Sequence, residues 1–190
     1  MQNIITKEEF VLQKDTFFED IEAGAVFIYP TDTIYGLGGN ATSQNVVKEI
    51  RNIKKRDKQP FSVIVPSKEW IRKNCFVGEK EEKWLEKLPG PYTLILRLKN
   101  KECVAENLAP GLDSLGVRIP NHWFSNNVRE LGFPIITTSA NITGKDFMTS
   151  LENLDTELKD FVEFIIYEGA KQGTPSEIID LTEEVEIIKR

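Results

Sequence analysis

Short apolar runs rich in β-forming residues alternate along this chain with stretches in which apolar residues recur every three or four positions. The runs predict strands at Val26 to Tyr29, Phe61 to Val65, Tyr92 to Leu98, Gly116 to Ile119, Pro134 to Thr138, Phe164 to Tyr167 and Glu177 to Leu181. Most end at a stop signal: Pro30, Pro66, Lys99-Asn100, Pro120 or Glu183-Glu184. Between them, Ser43 can cap a helix running to about Lys54, with Val46, Val47, Ile50 and Ile53 on one stripe and Lys48, Glu49 and Arg51 facing water. The same spacing predicts helices from His122 to Leu131 and from Ser150 to Phe161, and shorter ones at Ser67 to Asn74 and Glu79 to Leu88. Strands and helices in alternation define an α/β domain.

A length of 190 residues suits one domain, and no linker or repeat divides it. Hydrophobic residues at 40% and charged residues at 28% are ordinary for a globular chain, and no run of about 18 apolar residues could span a bilayer. Met1 to Asp20 mixes charges with single apolar residues, unlike a signal segment, so a cytoplasmic location is expected. Cys75 and Cys103 lie far apart and outside any metal or redox motif, which makes them idle thiols. A net charge of −6 argues against a surface built as a whole for nucleic acid. It leaves room for a local basic pocket.

Three segments carry candidate chemistry. In Tyr29 to Gly39 a strand runs into a loop with Thr31, Thr33, Tyr35, Gly36, Gly38 and Gly39. Its glycines allow φ > 0 and close approach, and its hydroxyls could orient a carboxylate or phosphate; a decorated turn explains them equally well. Lys54-Lys55-Arg56-Asp57-Lys58 crowds four cations at a helix end. They complement the helix dipole, yet they also repel one another unless an anion sits among them. In Pro134 to Gly144 an apolar strand opens into Thr137, Thr138, Ser139, Asn141 and Thr143, just where ligands of open α/β sheets bind; local Ser and Asn turns are the alternative.

Lesser candidates are Arg118, whose charge between apolar neighbours must find a partner or a cleft, Thr93, Ser176 and the terminal Arg190. His122, the one histidine, has no neighbouring acid or cysteine in sequence and receives no role. The absence of GxSxG, HExxH and P-loop patterns leaves covalent acyl transfer, zinc hydrolysis and P-loop chemistry unsupported. No metal ligands are assigned among the side chains.

The segments PTDTIYGLGG, KKR followed by QPFSVIV, LPGPYTLIL, LGVRIP, TTSAN followed by Gly144, and PSEIIDL stand in the order and spacing of the threonylcarbamoyl-AMP synthase family, the YrdC-like domain, in its short bacterial form. The chain resembles that family from about Phe18 to Arg190. The resemblance implies a twisted mixed sheet around a deep positive cleft, and an enzyme joining L-threonine, bicarbonate and ATP, with Mg2+ carried on the nucleotide, into threonylcarbamoyl-AMP and pyrophosphate. It places Lys54, Arg56, Thr138, Ser139, Asn141, Ser176 and Arg190 with the nucleotide, and Lys54 and Arg56 as the catalytic cations. Thr33, Tyr35 and Arg118 fall at the threonine end. Where family members commonly read Ser-Thr, this chain has Ser176-Glu177, and a carboxylate there must point away from phosphate or help hold magnesium. The implied partners are a downstream threonylcarbamoyl transferase complex and tRNA, with no membrane. The competing expectations are a paralogue that binds double-stranded RNA or tRNA without synthase activity and a carbamoyl-adenylate former of the hydrogenase-maturation type.

Overall fold

The computed structural model describes residues 3–171 and 173–188. Among these, ten strands form one mixed sheet: β1 (Asn3–Ile5), β2 (Phe27–Tyr29), β3 (Gly36–Gly38), β4 (Ser62–Ile64), β5 (Tyr92–Arg97), β6 (Ser114–Arg118), β7 (Ile135–Ser139), β8 (Phe164–Ile166), β9 (Glu177–Asp180) and β10 (Glu186–Ile188), in the order β1-β8-β2-β3-β7-β4-β6-β5-β9-β10. The helices are α1 (Lys7–Leu12), α2 (Lys14–Ala23), α3 (Gln44–Lys54), α4 (Lys68–Asn74), α5 (Glu79–Leu85), α6 (Phe124–Leu131) and α7 (Thr156–Lys159). All seven strands expected from the apolar runs are present.

Alternation along the strands explains two cores. Val26 and Ile28 point to one face with Val63, Val65, Ile136 and Ile165, where α3 lays down Val46, Val47, Ile50 and Ile53. Phe27 and Tyr29 point to the other with Ile64, Ile135, Phe164 and Ile166, covered by α1, α2 and α6 through Phe10, Phe17, Ile21, Phe124 and Val128. Stacked rings knit this second core: Phe10 to Phe17 at 5.2 Å and Phe27 to Phe164 at 4.9 Å. Each fully buried phenylalanine contributes about 1.5–3 kcal/mol. Because Ile5, Phe10 and Phe17 belong to it, the packed body begins at β1, ahead of the Phe18 boundary suggested by the resemblance.

Two local expectations change. The stripe from Ser150 to Phe161 does not make one helix: a 3-10 turn at Leu151–Asn153 is followed by extended Leu154 (φ −66, ψ 125) and then by α7. Asn153 Oδ1 accepts the N–H groups of Thr149 and Ser150, and Asp155 caps α7 at Glu157 N, so two short polar side chains take the bonds that a continuous helix would use. Phe161 is left 53% exposed. Conversely α1 and α2 arise in the charged N-terminal stretch. Thr6 and Glu9 form a capping box, Glu9 N donating to Thr6 Oγ1 at 3.1 Å and Thr6 N to Glu9 Oε2 at 2.7 Å.

Candidate active site

Strands β3, β7, β4, β6, β5 and β9 follow one another in the sheet, with Gly36 opposite Ser139, Leu37 opposite Thr138 and Leu94 opposite Val117. Gly36 and Gly38 are not at positive φ. They are bare because the buried Tyr29 ring lies across them, where a Cβ would strike it, and Tyr29 Oη reaches over to donate to Ile136 O at 3.0 Å. Packing against Tyr29 therefore accounts for both glycines.

The hydroxyls ahead of β3 form a directed chain. Thr31 Oγ1 donates to Ile34 O (2.6 Å), so in the 3.0 Å contact between the two hydroxyls Thr33 is the donor and Thr31 accepts. Thr33 Oγ1 keeps lone pairs toward Arg118 Nη2, 3.5 Å away. The stronger partner of Arg118 is Asp32, at 2.7 Å, with the arginine side chain 6% and the aspartate 12% exposed. Asp32 Oδ2 also accepts Asn121 N at 2.9 Å, so the carboxylate ties the β2–β3 loop to the exit of β6. The sequence demanded a partner for Arg118; it did not point to Asp32, which lies 86 residues away.

Lys54 and Asn141 stand 87 positions apart and are joined directly. Lys54, 2% exposed at the end of α3, donates from Nζ to Ser139 O (2.7 Å), Asn141 O (2.6 Å) and Asn141 Oδ1 (2.6 Å). Ser139 Oγ donates to the same amide oxygen at 2.7 Å, and Asn141 Nδ2 donates to Lys145 O. The lysine thus braces the Ser139–Asn141 loop. Lys55, with φ 51, closes α3 in the left-handed conformation and turns Arg56 onto the Phe61 ring, 5.3 Å from its centroid.

A cavity of about 30 Å³ lies beneath, walled by Thr31, Thr93, Arg118, Thr138, Ser139 and Ser176 among others. Such a volume suits about one water. Ser176 Oγ and Thr93 Oγ1 stand 2.7 Å apart within it. Arg118 is the cation of this wall, and the lining is otherwise mostly hydroxyl, with Lys54 and Arg56 set outside it. Next to it lies an outer depression of about 340 Å³ lined by Asp32, Thr33, Tyr92 and Glu177 among others. Glu177 therefore lines the same depression as Asp32 and does not line the inner cavity. Arg190 lies outside the described residues.

Tyr35 lines the cavity, and its hydroxyl donates to Gly169 O (2.7 Å) and accepts Glu168 N (3.1 Å). Burial pushes this phenol up from its ordinary value. His122 acquires the acidic partner that its sequence neighbours lack. Its Nδ1 accepts Phe124 N, which leaves Nε2–H to donate to Glu168 Oε1 at 2.8 Å; Trp123 Nε1 and Lys171 Nζ hold the same carboxylate. Burial works to raise the Glu168 carboxyl, but hydrogen bonds from Lys171, Trp123 and His122 bring it down to about 2. A lowered acid stabilises the fold above its unfolded pKa and loses that contribution as pH falls toward the folded one. Glu168→Gln is expected to lower Tm at neutral pH and to flatten the acid limb of the Tm profile between about pH 4.5 and 2. An acid limb identical to the parent's would remove Glu168 from this role.

Fold and site together define an α/β domain whose polar pocket opens at the central strand ends, with one buried Arg–Asp pair and one buried Lys–Asn cluster beside it. Residues 19–190 match the Sua5/YciO/YrdC family model, described as telomere recombination. The chain belongs to that family. A Methanocaldococcus jannaschii protein with the provisional name threonylcarbamoyl-AMP synthase is 36% identical over 170 residues, covering 87% of this chain and 79% of its own length. The threonylcarbamoyl-AMP synthase of Pyrococcus abyssi is 35% identical over 90% of this chain, which spans only 51% of that relative. The crystal structure of P. abyssi Sua5 complexed with L-threonine matches all of this chain with a TM-score of 0.86 and 31% identity, over 57% of the Sua5 chain.

Among the described residues no helix is long and apolar enough to cross a membrane. Sequence reasoning missed Asp32, Arg51, Glu168 and Tyr29 as residues that build this region. For Asp32 a signal existed, a carboxylate between two threonines in the same segment as the candidates.

Proposed function

We propose that this protein is an L-threonylcarbamoyladenylate synthase, a nucleotidyltransferase that makes threonylcarbamoyl-AMP for the threonylcarbamoyladenosine modification of tRNA. The observation that carries the reading is that Lys54 binds the Ser139–Asn141 loop while Asp32 and Thr33 bind Arg118, so that Ser139 and Arg118, two walls of the same cavity, are each held by a differently built cluster. The names of the relatives and the threonine complex of P. abyssi Sua5 support it.

In the reaction, the threonine amine takes up carbon dioxide from bicarbonate, and a carbamate oxygen attacks the α-phosphorus of ATP with pyrophosphate leaving. Both reactants are anions. The chain's part is to position them and to offset their charge, with no titrating nucleophile. Arg118 and Thr33 hold the threonine carboxylate, Arg118 being kept in place by Asp32. Ser139, Thr138 and Asn141 orient the nucleotide on a loop braced by Lys54, while Arg56 and Ser176 complete the phosphate contacts. Magnesium enters with the triphosphate. The product passes to a threonylcarbamoyl transferase complex in the cytoplasm.

The rival RNA-binding reading needs solvent-facing cations. Lys55 is paired with Glu157, and Lys145 with Asp155 and Glu157, so part of the basic patch is matched by carboxylates. Pyrophosphate release by the purified protein with ATP, bicarbonate and Mg2+ is expected to depend on added L-threonine. Release at the same rate without threonine rejects the synthase.

A further inference from the structure

The residue in this region with the fullest set of hydrogen bonds is one that no function has yet claimed. Arg51 sits one turn before the end of α3, is only 9% exposed, and directs every guanidinium N–H at a main-chain carbonyl. Nε and Nη2 share Asn107 O at 3.0 and 2.8 Å, Nη2 also reaches Leu108 O at 3.1 Å, and Nη1 donates to Arg56 O at 3.1 Å and Gln59 O at 3.0 Å. The backbone of Arg51 completes the grip, since its carbonyl accepts Arg56 N at 3.0 Å. Arg56 is thereby held at both its N–H and its C=O by one residue.

The two guanidiniums also share an aromatic platform. Arg51 Cζ stands 4.9 Å and Arg56 Cζ 5.3 Å from the centroid of Phe61, whose own N–H is bonded to Leu108 O. A helix turn, the 55–60 loop and the 107–108 turn therefore converge on one buried cation. Burying a charge is costly, and here the cost is offset because main-chain carbonyl oxygens accept from every donor of the guanidinium. What the guanidinium adds is geometry: five donors in a rigid fork fix the loop that presents Arg56.

We infer that Arg51 is a positioning residue for nucleotide binding, setting the 55–60 loop so that Arg56 meets the phosphates. This rests on the reading of Arg56 as a phosphate ligand. A lysine at 51 keeps the charge but offers three donors from a single point, so it cannot span Arg56 O, Gln59 O and the 107–108 carbonyls together.

The test is the dissociation constant of Mg-ATP, measured by calorimetry without threonine, for the parent, Arg51→Lys, Arg56→Ala and the double variant. Arg51→Lys is expected to weaken nucleotide binding about tenfold, to leave the KM for threonine within twofold of the parent at saturating ATP, and to have no further effect once Arg56 is alanine. Additive losses in the double variant overturn the inference, because Arg51 then does not act through Arg56. Parent-like binding by Arg51→Lys overturns it as well, while leaving the Arg56 reading intact if Arg56→Ala binds poorly. Parent-like binding by Arg56→Ala rejects Arg56 as a phosphate ligand, and Arg51 loses its role with it. Should Arg51→Lys be unfolded at the assay temperature, Arg51→Gln replaces it; failure of both to fold shows a stabilising residue only and overturns the inference.

Discussion

Replacing Lys54 with alanine is expected to reduce threonine-dependent turnover about a hundredfold, the scale on which misplacing groups that position a substrate acts. Its position at a helix end suggests that such a variant would keep its fold. The structure revises that expectation. The lysine is 2% exposed and three oxygens of the Ser139–Asn141 loop bond its ammonium, so removal strands buried acceptors. Each stranded group costs about 1–3 kcal/mol, reduced where water can enter the vacated space. A net loss of about 2–4 kcal/mol corresponds to a Tm lower by roughly 5–15 °C for a domain of this size. Arg56→Ala, by contrast, is expected to lose turnover with a smaller fall in Tm, because Arg56 is half-buried and its backbone bonds survive the substitution. Steady-state assays and melting curves on both variants separate the two. Near-parental turnover in Lys54→Ala would end the case for a braced nucleotide loop.

Asp32→Ala is expected to be the most destabilising change at the threonine end. It leaves the Arg118 guanidinium in a site where it is 6% exposed and deprives Asn121 N of its acceptor. Breaking a buried pair from one side costs about 3–5 kcal/mol, and the low end applies since Asp32 itself retains some solvent contact. The pair is distinguished from a mere charge effect by the double variant Asp32→Ala, Arg118→Met, which removes the buried cation together with the carboxylate that faces it. It is expected to recover a good part of the lost stability while threonine-dependent turnover stays absent. If the double variant is as unstable as the sum of the singles, the two side chains are not coupled and Asp32 does not hold Arg118. For Asp32→Ala alone the KM for threonine should rise more than the KM for ATP.

Much of the architecture was legible before any coordinates. The seven apolar runs became β2, β4, β5, β6, β7, β8 and β9, because short runs rich in β-forming apolar residues and bounded by stop signals read as strands whatever their partners. The strands that escaped notice lack that signature. β3 is Gly36-Leu37-Gly38, where packing against Tyr29 forbids side chains, and β1 and β10 are three-residue edge strands. The long helix expected at Ser150 fails for a different reason: Asn153 and Asp155 bond locally, a competition that apolar spacing does not register.

Residue identity by itself determined that this chain folds as an α/β domain and which segments bear its polar chemistry, since periodicity and local hydroxyl, glycine and charge content are properties of neighbours in sequence. Only the tertiary structure decided what those residues do to one another. Lys54 became the brace of the Asn141 loop, Arg118 the partner of Asp32, Tyr35 a ring with its hydroxyl committed to residues 168–169, and Arg51 the clamp on Arg56. Each of these depends on carbonyls, carboxylates or backbone N–H groups brought together by sheet register and helix docking, and burial makes such bonds obligatory without writing the partner's position into the local sequence.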